Sequence, residues 1–380
     1  MDERVLFDLF CGTGGFSFGF EKAGGRFSTR FGIDILPIAI ETFKKNHKSA
    51  LGYDGDIRKV CRSELAERLK LKKGNVDVIV GGPPCQGFSS IRPFRSSNED
   101  DPRNSLFEEY ASFVNYFRPK VFVLENVVGL ATHKNGSTID AIEECFHNIG
   151  YDSEWRLLNA AHYGVPQKRE RLIMIGVQRG GKIIFPVQSH VCESPTVGYR
   201  DRSKMHIPAQ LAPSAATTAL SIMDAIGDLP PLEAGEVSTV YDRRPLNNYQ
   251  KERRNGAKLL SLHSATDHSR KMLEIIRHSG KNIDCIPKHL ITSGFSTSYS
   301  RLDADEPAVT ITVNFVHPSS NKCIHPAQHR VLTPREGARL QSFDDNFEFA
   351  GNRTQIVKQI GNAVPPLLGK AIATAVDKML

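Results

Sequence analysis

The fold is decided by a stretch near the start of the chain that reads Val5-Leu6-Phe7-Asp8-Leu9-Phe10-Cys11-Gly12-Thr13-Gly14-Gly15. Its first half is an apolar run that only Asp8 interrupts, which is typical of a strand buried on both faces of a parallel sheet. Its second half is a glycine-rich turn, where the backbone can reverse sharply and approach a ligand closely. A helical pattern follows at 16–23, and a helix N-terminus favours an anionic group. The stretch predicts a strand, a ligand-binding turn and a helix, with a purely structural turn as the alternative.

The spacing of these glycines narrows the kind of ligand. A dinucleotide-binding turn needs the pattern GxGxxG, and position 17 here is Ser. The turn therefore disfavours a dinucleotide and favours a smaller ligand that carries a carboxylate. Asp34 ends the second apolar run, where an acidic residue bonds ribose hydroxyls in such folds, and Asp56 is a candidate for holding an adenine amino group. A helix cap or a solvated acid is the alternative for each of them.

The first 175 residues alternate short apolar runs with amphipathic stretches. This alternation predicts an α/β fold with a doubly wound, mostly parallel sheet and helices on both faces. The predicted strands are 5–10, 31–35, 76–80, 121–124, 155–158 and 171–177, and the predicted helices are 16–23, 37–46, 106–117 and 139–149.

The regular pattern stops near residue 178, where an irregular region rich in proline, serine and basic residues begins. We interpret this region as a smaller inserted domain, because long ordered insertions are usually functional. Regular pattern returns where Thr333 is expected to cap a helix begun by Pro334, and a last helix is opened by Pro365 and Pro366. The predicted divisions are a first domain at 1–185, the inserted domain at 186–328, a hinge segment at 329–344 and a C-terminal return at 345–380.

A second informative stretch places a thiol on a rigid loop after a predicted strand. It reads Gly81-Gly82-Pro83-Pro84-Cys85-Gln86-Gly87-Phe88-Ser89. Open α/β sheets bind their ligands at the carboxyl ends of their strands. A buried, inert cysteine is the usual alternative, but prolines and glycines around one thiol fix a backbone rather than fill a core. Glu125 ends the next predicted strand, so we expect its carboxyl and the Cys85 thiol to face one site.

Composition sets bounds on the class of protein. The net charge of +7 and the pI of about 9.0 fit a polyanionic partner without requiring one. The seven cysteines form no CxxC pair, which predicts free thiols in a reducing compartment, and no zinc-like spacing occurs, so we expect no metal. A signal peptide and an apolar run of about 20 residues are both lacking, so we expect a cytoplasmic protein without membrane contact.

Successive segments of the chain also match a known set of motifs. They are Asp8-Leu9-Phe10-Cys11-Gly12-Thr13-Gly14-Gly15, Pro83-Pro84-Cys85-Gln86-Gly87-Phe88-Ser89, Glu125-Asn126-Val127, Gln167-Lys168-Arg169-Glu170-Arg171, Arg330-Val331-Leu332-Thr333-Pro334-Arg335-Glu336 and Gln359-Ile360-Gly361-Asn362-Ala363-Val364. Because these motifs occur in this order, the chain resembles the cytosine-C5 DNA methyltransferase family, and in particular its bacterial and phage modification enzymes. The resemblance leaves about 178–328 unmatched and implies that the inserted domain is a target-recognition domain.

The resemblance implies an enzyme that transfers a methyl group from S-adenosylmethionine to carbon 5 of cytosine. Cys85 would be the nucleophile that adds to carbon 6 and makes carbon 5 electron-rich. Glu125 would bond N3 and the exocyclic amine of the base. Arg171, oriented by Arg169, would lie at the O2 side, and a surface position paired with neighbouring acids is the alternative for these two arginines.

The resemblance further implies a pocket for S-adenosylmethionine as the cofactor. Phe10 is expected to face the adenine, and Asn362 is expected to close the pocket from the far end of the chain. The full set of cofactor-binding residues that we predict is Asp8, Phe10, Gly12, Gly14, Gly15, Asp34, Asp56, Ile57, Pro83, Leu106, Asn362 and Val364.

Double-stranded DNA is the expected partner. Carbons 5 and 6 of a stacked cytosine are hidden, so the base must be flipped out of the duplex. We interpret the polar segment 89–103 as a loop that closes over the flipped base, with an ordinary exposed loop as the alternative. The inserted domain would read the flanking sequence. The DNA-binding residues that we predict are Gln86, Ser89, Arg92, Arg95, Arg103, Arg301, Thr310 and Thr312.

Three other functions fit part of the pattern. The same chemistry on tRNA is the nearest, and the long insertion favours DNA over it. A catalytically silent DNA-binding relative conflicts with the intact Cys85, Glu125 and Arg171, and an oxidoreductase conflicts with Ser17. We expect a monomer that pairs functionally with a restriction endonuclease.

Overall fold

The secondary structure follows the alternation of the sequence through the first half of the chain. The computed structural model describes residues 3–84, 105–192, 217–291, 294–319 and 321–380. Its strands are β1 (Arg4–Leu9), β2 (Phe27–Asp34), β3 (Leu51–Asp54), β4 (Val78–Gly81), β5 (Val121–Asn126), β6 (Tyr151–Asn159), β7 (Gln167–Lys168), β8 (Glu170–Gln178), β9 (His190–Val191), β10 (Thr217–Thr218) and β11 (Ala308–Val309). Its helices are α1 (Gly15–Glu21), α2 (Pro37–Asn46), α3 (Arg62–Leu69), α4 (Ser105–Phe117), α5 (Ser137–Asn148), α6 (Ile222–Ile226), α7 (Asn248–Arg254), α8 (Arg270–His278), α9 (Pro334–Leu340), α10 (Arg353–Asn362) and α11 (Pro366–Asp377). Within these described ranges, no helix has both the length and the apolar character that crossing a membrane requires.

One seven-stranded sheet forms the centre, in the order β3-β2-β1-β4-β5-β8-β6. The strands from β1 to β5 pair in parallel, whereas β8 runs antiparallel to both β5 and β6. From β1 the chain builds outward on one side through β2 and β3, and on the other side through β4 and β5. The point where this direction reverses lies between β1 and β4, and open α/β sheets bind ligands there. The predicted doubly wound, mostly parallel sheet is confirmed.

Alternate residues of the strands face two different cores, because side chains on a strand point to opposite faces of the sheet. On one face Phe7 packs in a cluster with Phe113 of α4 and Phe146 of α5. On the other face Leu6 packs in a cluster with Ile372 of α11 and residues of α1. The last helix of the chain is therefore part of the same three-layer unit as the first strand.

Two elements of this unit were not predicted. Strand β3 reads Leu51-Gly52-Tyr53-Asp54, in which a glycine and a terminal acid interrupt any apolar run. Helix α3 buries only Leu65, so its sequence lacks the apolar periodicity that identifies a helix. Strand β3 lies at the edge of the sheet, and strand formation depends on packing against neighbours more than on local sequence.

A third core joins the inserted region to the C-terminal segments. It includes Ile222 of α6, Leu302, Leu340 of α9 and Ile360 of α10. The predicted cap of α9 is confirmed: the Thr333 hydroxyl accepts from the N–H of the third helical residue, and that residue's carboxylate accepts from the Thr333 N–H. The predicted division of the chain into four ranges stays a prediction.

Three arginines of the segment predicted as a hinge are completely buried: Arg330, Arg335 and Arg339. Arg330 donates two bonds of 2.7 and 2.8 Å to the carboxylate of Glu336. Arg339 pairs in the same two-pronged way with Asp345. A buried charge is tolerated only when it is paired and hydrogen-bonded, so these ion pairs fix α9 tightly within the third core.

Candidate active site

A cavity of about 800 Å³ opens at the carboxyl ends of the parallel strands, next to the switch point of the sheet. Residues that follow β1, β2, β3, β4 and β5 line it, and a face of α10 closes it from the other side. Nine of the twelve predicted cofactor-binding residues line this cavity. They are Asp8, Phe10, Gly12, Asp34, Asp56, Ile57, Leu106, Asn362 and Val364.

The other three predicted residues lie just outside the lining. A side chain added at Gly14 would put its Cβ 2.5 Å from the ring of His47, and one added at Gly15 would meet the Val364 carbonyl at 2.6 Å. These two glycines therefore let the turn pack closely against α2 and the C-terminal segment. Pro83 accepts a hydrogen bond of 3.0 Å from Asn126 through its carbonyl. Their predicted roles in cofactor binding stay predictions.

The backbone at Phe10 has a left-handed conformation, with φ of 59°. This conformation is uncommon for a bulky residue, and such outliers cluster at functional sites. The turn makes the chain leave β1 abruptly, and Phe10 lies at the cavity edge, where its ring also packs on the first core. The predicted position of Phe10 beside a ligand is thus compatible with its geometry.

One buried and one half-buried carboxylate, Asp8 and Asp34, lie near the carboxyl ends of β1 and β2. Asp8 is 1% exposed and accepts from the Ser17 hydroxyl at 2.6 Å, and burial raises the pKa of Asp8 to about 7. Asp34 accepts from the backbone N–H groups of Gly12 and Leu36, both at 2.9 Å. Burial also raises the pKa of Asp34, although these backbone bonds oppose the rise. Both carboxylates therefore lie in surroundings that favour a bound positive charge or hydroxyl donor.

Asp56 is a cap, as one of the two interpretations of the sequence held, and its contact with an adenine amino group stays a prediction. It lines the cavity, and it also caps the short 3₁₀ turn Ile57–Lys59 by accepting from the Arg58 N–H at 3.0 Å. The Arg58 guanidinium binds the same carboxylate at 2.6 Å, and these hydrogen bonds lower the pKa of Asp56.

Glu125 and Arg171 form an ion pair beside the cavity, with 2.8 Å between Glu125 Oε1 and Arg171 Nε. Both side chains are 14% exposed. The pair arises because β5 and β8 are neighbours in the sheet, and it excludes the alternative of surface arginines for this residue. Gly82 lies against the same carboxylate, since a Cβ there would be 2.9 Å from Glu125 Oε2. Pro84, the last described residue before Cys85, lines the cavity together with Glu125.

Arg169 is buried and holds two distant segments together. It donates to the carbonyl of Ile311 at 2.9 Å and to the carbonyl of Gly361 at 3.2 Å. Gln167 adds to this junction by accepting from the Ile311 N–H at 2.8 Å. Burial lowers the pKa of Arg169, with the nearby charge of Arg171 as a second cause. Arg169 therefore joins the strand of Arg171 to the inserted region and to α10.

The predicted DNA-binding residues divide into two groups. Arg301 donates to the carbonyls of Gln328 and Ile276, Thr310 donates to the Lys168 carbonyl, and Thr312 bonds Asn321. These three side chains thus have partners within the protein, and their contact with DNA stays a prediction. The other predicted DNA-binding residues lie outside the described residues, as does the candidate nucleophile Cys85. They are Gln86, Ser89, Arg92, Arg95 and Arg103.

Further lining residues escaped the sequence analysis. Gln355, Lys358 and Gln359 face the cavity from α10. A signal for them existed, because they precede Asn362 by seven, four and three positions and so share its face of a helix. His47, behind the glycine-rich turn, had no such signal. Among the described residues, no group of three or more His, Cys, Asp or Glu has an arrangement suited to a metal.

Comparisons with known proteins agree with this geometry. Residues 5–378 match the family described as C-5 cytosine-specific DNA methylase. The chain is 38% identical over 376 residues to Type II methyltransferase M1.HphI from Haemophilus parahaemolyticus, covering 98% of this chain and 86% of the relative. It is 35% identical over 402 residues to Type II methyltransferase M.DdeI from Desulfomicrobium norvegicum, covering 98% and 88%.

Solved structures share the fold along the whole chain. A prophage-encoded E. coli protein, solved as a candidate DNA modification methyltransferase, superposes with a TM-score of 0.74 at 25% identity and covers 99% of both chains. The family match covers nearly the whole chain, and the relatives are similar over most of their own length. The chain therefore belongs to the C-5 cytosine-specific DNA methylase family and is a DNA (cytosine-5-)-methyltransferase.

Proposed function

We propose that this enzyme transfers a methyl group from S-adenosylmethionine to carbon 5 of a cytosine flipped out of double-stranded DNA, through a covalent adduct between Cys85 and carbon 6. The observation that carries the proposal is the Glu125–Arg171 ion pair beside the cavity, next to Gly82 and Pro84. The pair holds a carboxylate and a guanidinium together close to Gly82, and Gly82 to Pro84 directly precede Cys85 in the chain. Together these groups match the polar edge of a cytosine, which carries donor and acceptor atoms side by side.

The residues of the cavity fit S-adenosylmethionine. This compound carries a positive sulfonium and an ammonium group, and the buried Asp8 provides the opposite charge. Of the two carboxylate oxygens of Asp8, Oδ2 accepts from Ser17, whereas no described residue donates to Oδ1. Oδ1 is therefore available to a ligand. Asp34 would accept from ribose hydroxyls, and Phe10 would pack on the adenine ring, with Asn362 closing the pocket. When bound, S-adenosylmethionine supplies the electrophilic methyl group that carbon 5 takes up.

The protein's own groups would then carry the remaining chemistry. The Cys85 thiolate forms a bond to carbon 6, and the electron pair of the ring double bond moves toward carbon 5. Glu125 would donate a proton to N3 and accept from the exocyclic amine, and Arg171 would donate to O2, so that negative charge developing on the ring is stabilised. After methylation, loss of the carbon 5 proton to a base re-forms the double bond and expels Cys85 as thiolate.

The target is proposed to be a specific sequence of duplex DNA. The target-recognition domain at 186–328 would read base edges, while Arg301, Thr310 and Thr312 are the described candidates for contacts with DNA. The segment 89–103 would close over the flipped base. We also propose that the enzyme acts as a monomer. Because M1.HphI and M.DdeI are Type II methyltransferases, we propose a restriction endonuclease as its functional partner.

Labelled methyl transfer tests the proposal. S-adenosylmethionine with a labelled methyl group is incubated with unmethylated duplex DNA and separately with tRNA, using wild type and Cys85→Ser. We expect label in DNA, on carbon 5 of cytosines within one sequence, and no label with Cys85→Ser. Label in tRNA alone would show that the substrate is tRNA and not DNA. Label transferred by Cys85→Ser would contradict the covalent mechanism. A folded wild type that binds S-adenosylmethionine but labels neither nucleic acid would favour a silent DNA-binding protein.

A further inference from the structure

His47 lies directly behind the glycine-rich turn, at the end of α2, and does not line the cavity. Its side chain is completely buried. The ring stacks on Phe43 with 4.5 Å between ring centroids and meets the edge of Phe18 at 6.3 Å. A buried imidazole needs partners for its polar atoms, so the contacts of its two nitrogens decide what this residue does.

Both ring nitrogens face hydrogen-bond acceptors. Nδ1 lies 3.0 Å from a carboxylate oxygen of Glu21, and Nε2 lies 3.1 Å from the carbonyl oxygen of Gly14. A carbonyl and an ionised carboxylate can only accept. Both bonds therefore require a proton on each nitrogen, and the ring connects the end of α1 to the middle of the turn.

The same ring is linked to the cavity through Ser17. Nε2 lies 3.4 Å from the Ser17 hydroxyl, and that hydroxyl donates to Asp8 at 2.6 Å. Since the hydroxyl has one proton and gives it to Asp8, its oxygen is free to share, as a second and more distant acceptor, the Nε2 proton that His47 donates to Gly14. Gly14 fits against the ring so closely that even a Cβ would lie 2.5 Å from Nε2. The position of the turn and the orientation of Asp8 thus both depend on this imidazole.

We propose that His47 is a positioning residue for the methyl donor: it holds the carbonyl of Gly14 and, through Ser17, the carboxylate of Asp8 in the geometry that binds S-adenosylmethionine. The inference rests on the proposed donor site in the cavity. His47 reaches neither the cavity nor the Glu125–Arg171 pair, so its loss should affect donor affinity and leave chemistry at saturating donor intact. That separation distinguishes positioning from a general structural role.

Two matched amide variants test the proposal. In His47→Gln the amide nitrogen can occupy the place of Nε2 and donate to the Gly14 carbonyl. In His47→Asn the amide nitrogen reaches only the place of Nδ1 and keeps the bond to Glu21. Both variants lose the aromatic ring and each keeps one of the two bonds, so the comparison sets the bond to Gly14 against the bond to Glu21. We expect His47→Asn to raise the dissociation constant and the KM for S-adenosylmethionine about tenfold, the worth of one hydrogen bond to a buried acceptor.

The same measurements on His47→Gln and His47→Asn can support or overturn the proposed role of His47. His47→Gln should stay within about threefold of wild type for donor affinity, and both variants should keep kcat and DNA affinity within about twofold, with thermal unfolding recorded for each. Equal donor affinity in all three proteins, or an equal loss in both variants, would overturn the inference, because neither result depends on the bond to Gly14.

A second variant keeps the test decisive if His47→Asn does not fold. Ser17→Ala removes the link to Asp8 while the ring stays in place, and it should weaken donor binding by a similar factor. Unchanged donor affinity in Ser17→Ala would count against the proposed path. Calorimetric titration of wild type with S-adenosylmethionine tests the proposed donor site separately from the role of His47. Absence of binding by wild type would refute the donor site itself.

Discussion

Replacing Asp8 by Asn is expected to weaken binding of the methyl donor and to remove its dependence on pH. Burial raises the pKa of Asp8 to about 7, against the opposing effects of the Ser17 hydrogen bond and the charge of His47. The proposed donor carries two positive charges near this carboxyl, so the ionised form binds it better. Donor affinity should therefore increase as the pH rises toward 7.

The magnitude follows from that pKa. A carboxyl with a pKa of about 7 is ionised to roughly 0.09 at pH 6 and roughly 0.5 at pH 7, so the dissociation constant should fall roughly fivefold. The α-amino group of the donor, with an ordinary pKa of about 7.7–8.0, limits the useful range at higher pH. Calorimetric titration of wild type and Asp8→Asn between pH 6 and 7 measures the slope. An equal slope in both proteins would refute the reasoning, because a group other than Asp8 would then carry the pH dependence.

The same carboxyl should lower the stability of the free enzyme at neutral pH. Its ordinary pKa of 3.8 lies below the folded value of about 7, so the folded protein holds the proton more tightly than the unfolded chain does. Stability from this group is fully present below pH 3.8 and is lost as the pH rises through 7. The interval corresponds to at most about 4 kcal/mol. Asp8→Asn should therefore unfold at a higher temperature than wild type at pH 8, and the difference should shrink toward pH 4; equal melting temperatures at pH 8 would contradict this.

Three further substitutions have defined outcomes. Arg171→Lys keeps the charge but loses the planar fork, so single-turnover methylation should slow about 100-fold with donor affinity unchanged, and a change below threefold would contradict the role in stabilising the base. Arg339→Met removes one cationic partner from each of the buried carboxylates Asp228 and Asp345 and should lower the free energy of unfolding in urea by about 3–5 kcal/mol; the control Arg243→Met, at an exposed pair, should leave it nearly unchanged. Gly14 and Gly24 share a φ of +79°, but only at Gly14 would an added Cβ contact neighbouring atoms. Calorimetry should therefore show weaker donor binding in Gly14→Ala and unchanged binding in Gly24→Ala.

The sequence predicted the site best where its residues follow strands. Asp8, Phe10 and Asp34 line the cavity as expected, because parallel strands bring their carboxyl ends to one edge of a sheet. Asn362 was placed there by resemblance, and the periodicity of a helix would have added Lys358 and Gln359 from the same face. The sequence was least informative for β3, which forms one edge of the sheet, and for α3, because neither element has much apolar pattern of its own.

Local sequence by itself determined the strand, turn and helix at the start of the chain, the helix caps and the mostly parallel sheet, since each depends on periodicity or on residues a few positions apart. Only the tertiary structure decided which distant groups meet. The pairing of Glu125 with Arg171 depends on β8 lying beside β5 in the sheet. The contact of His47 with Gly14 depends on how α2 packs against the turn. The burial of Arg339 depends on Asp228, which the fold brings in from the distant helix α6 region to join the nearby Asp345. Such contacts join residues far apart in the chain, and their free energy appears only once the chain has folded around them.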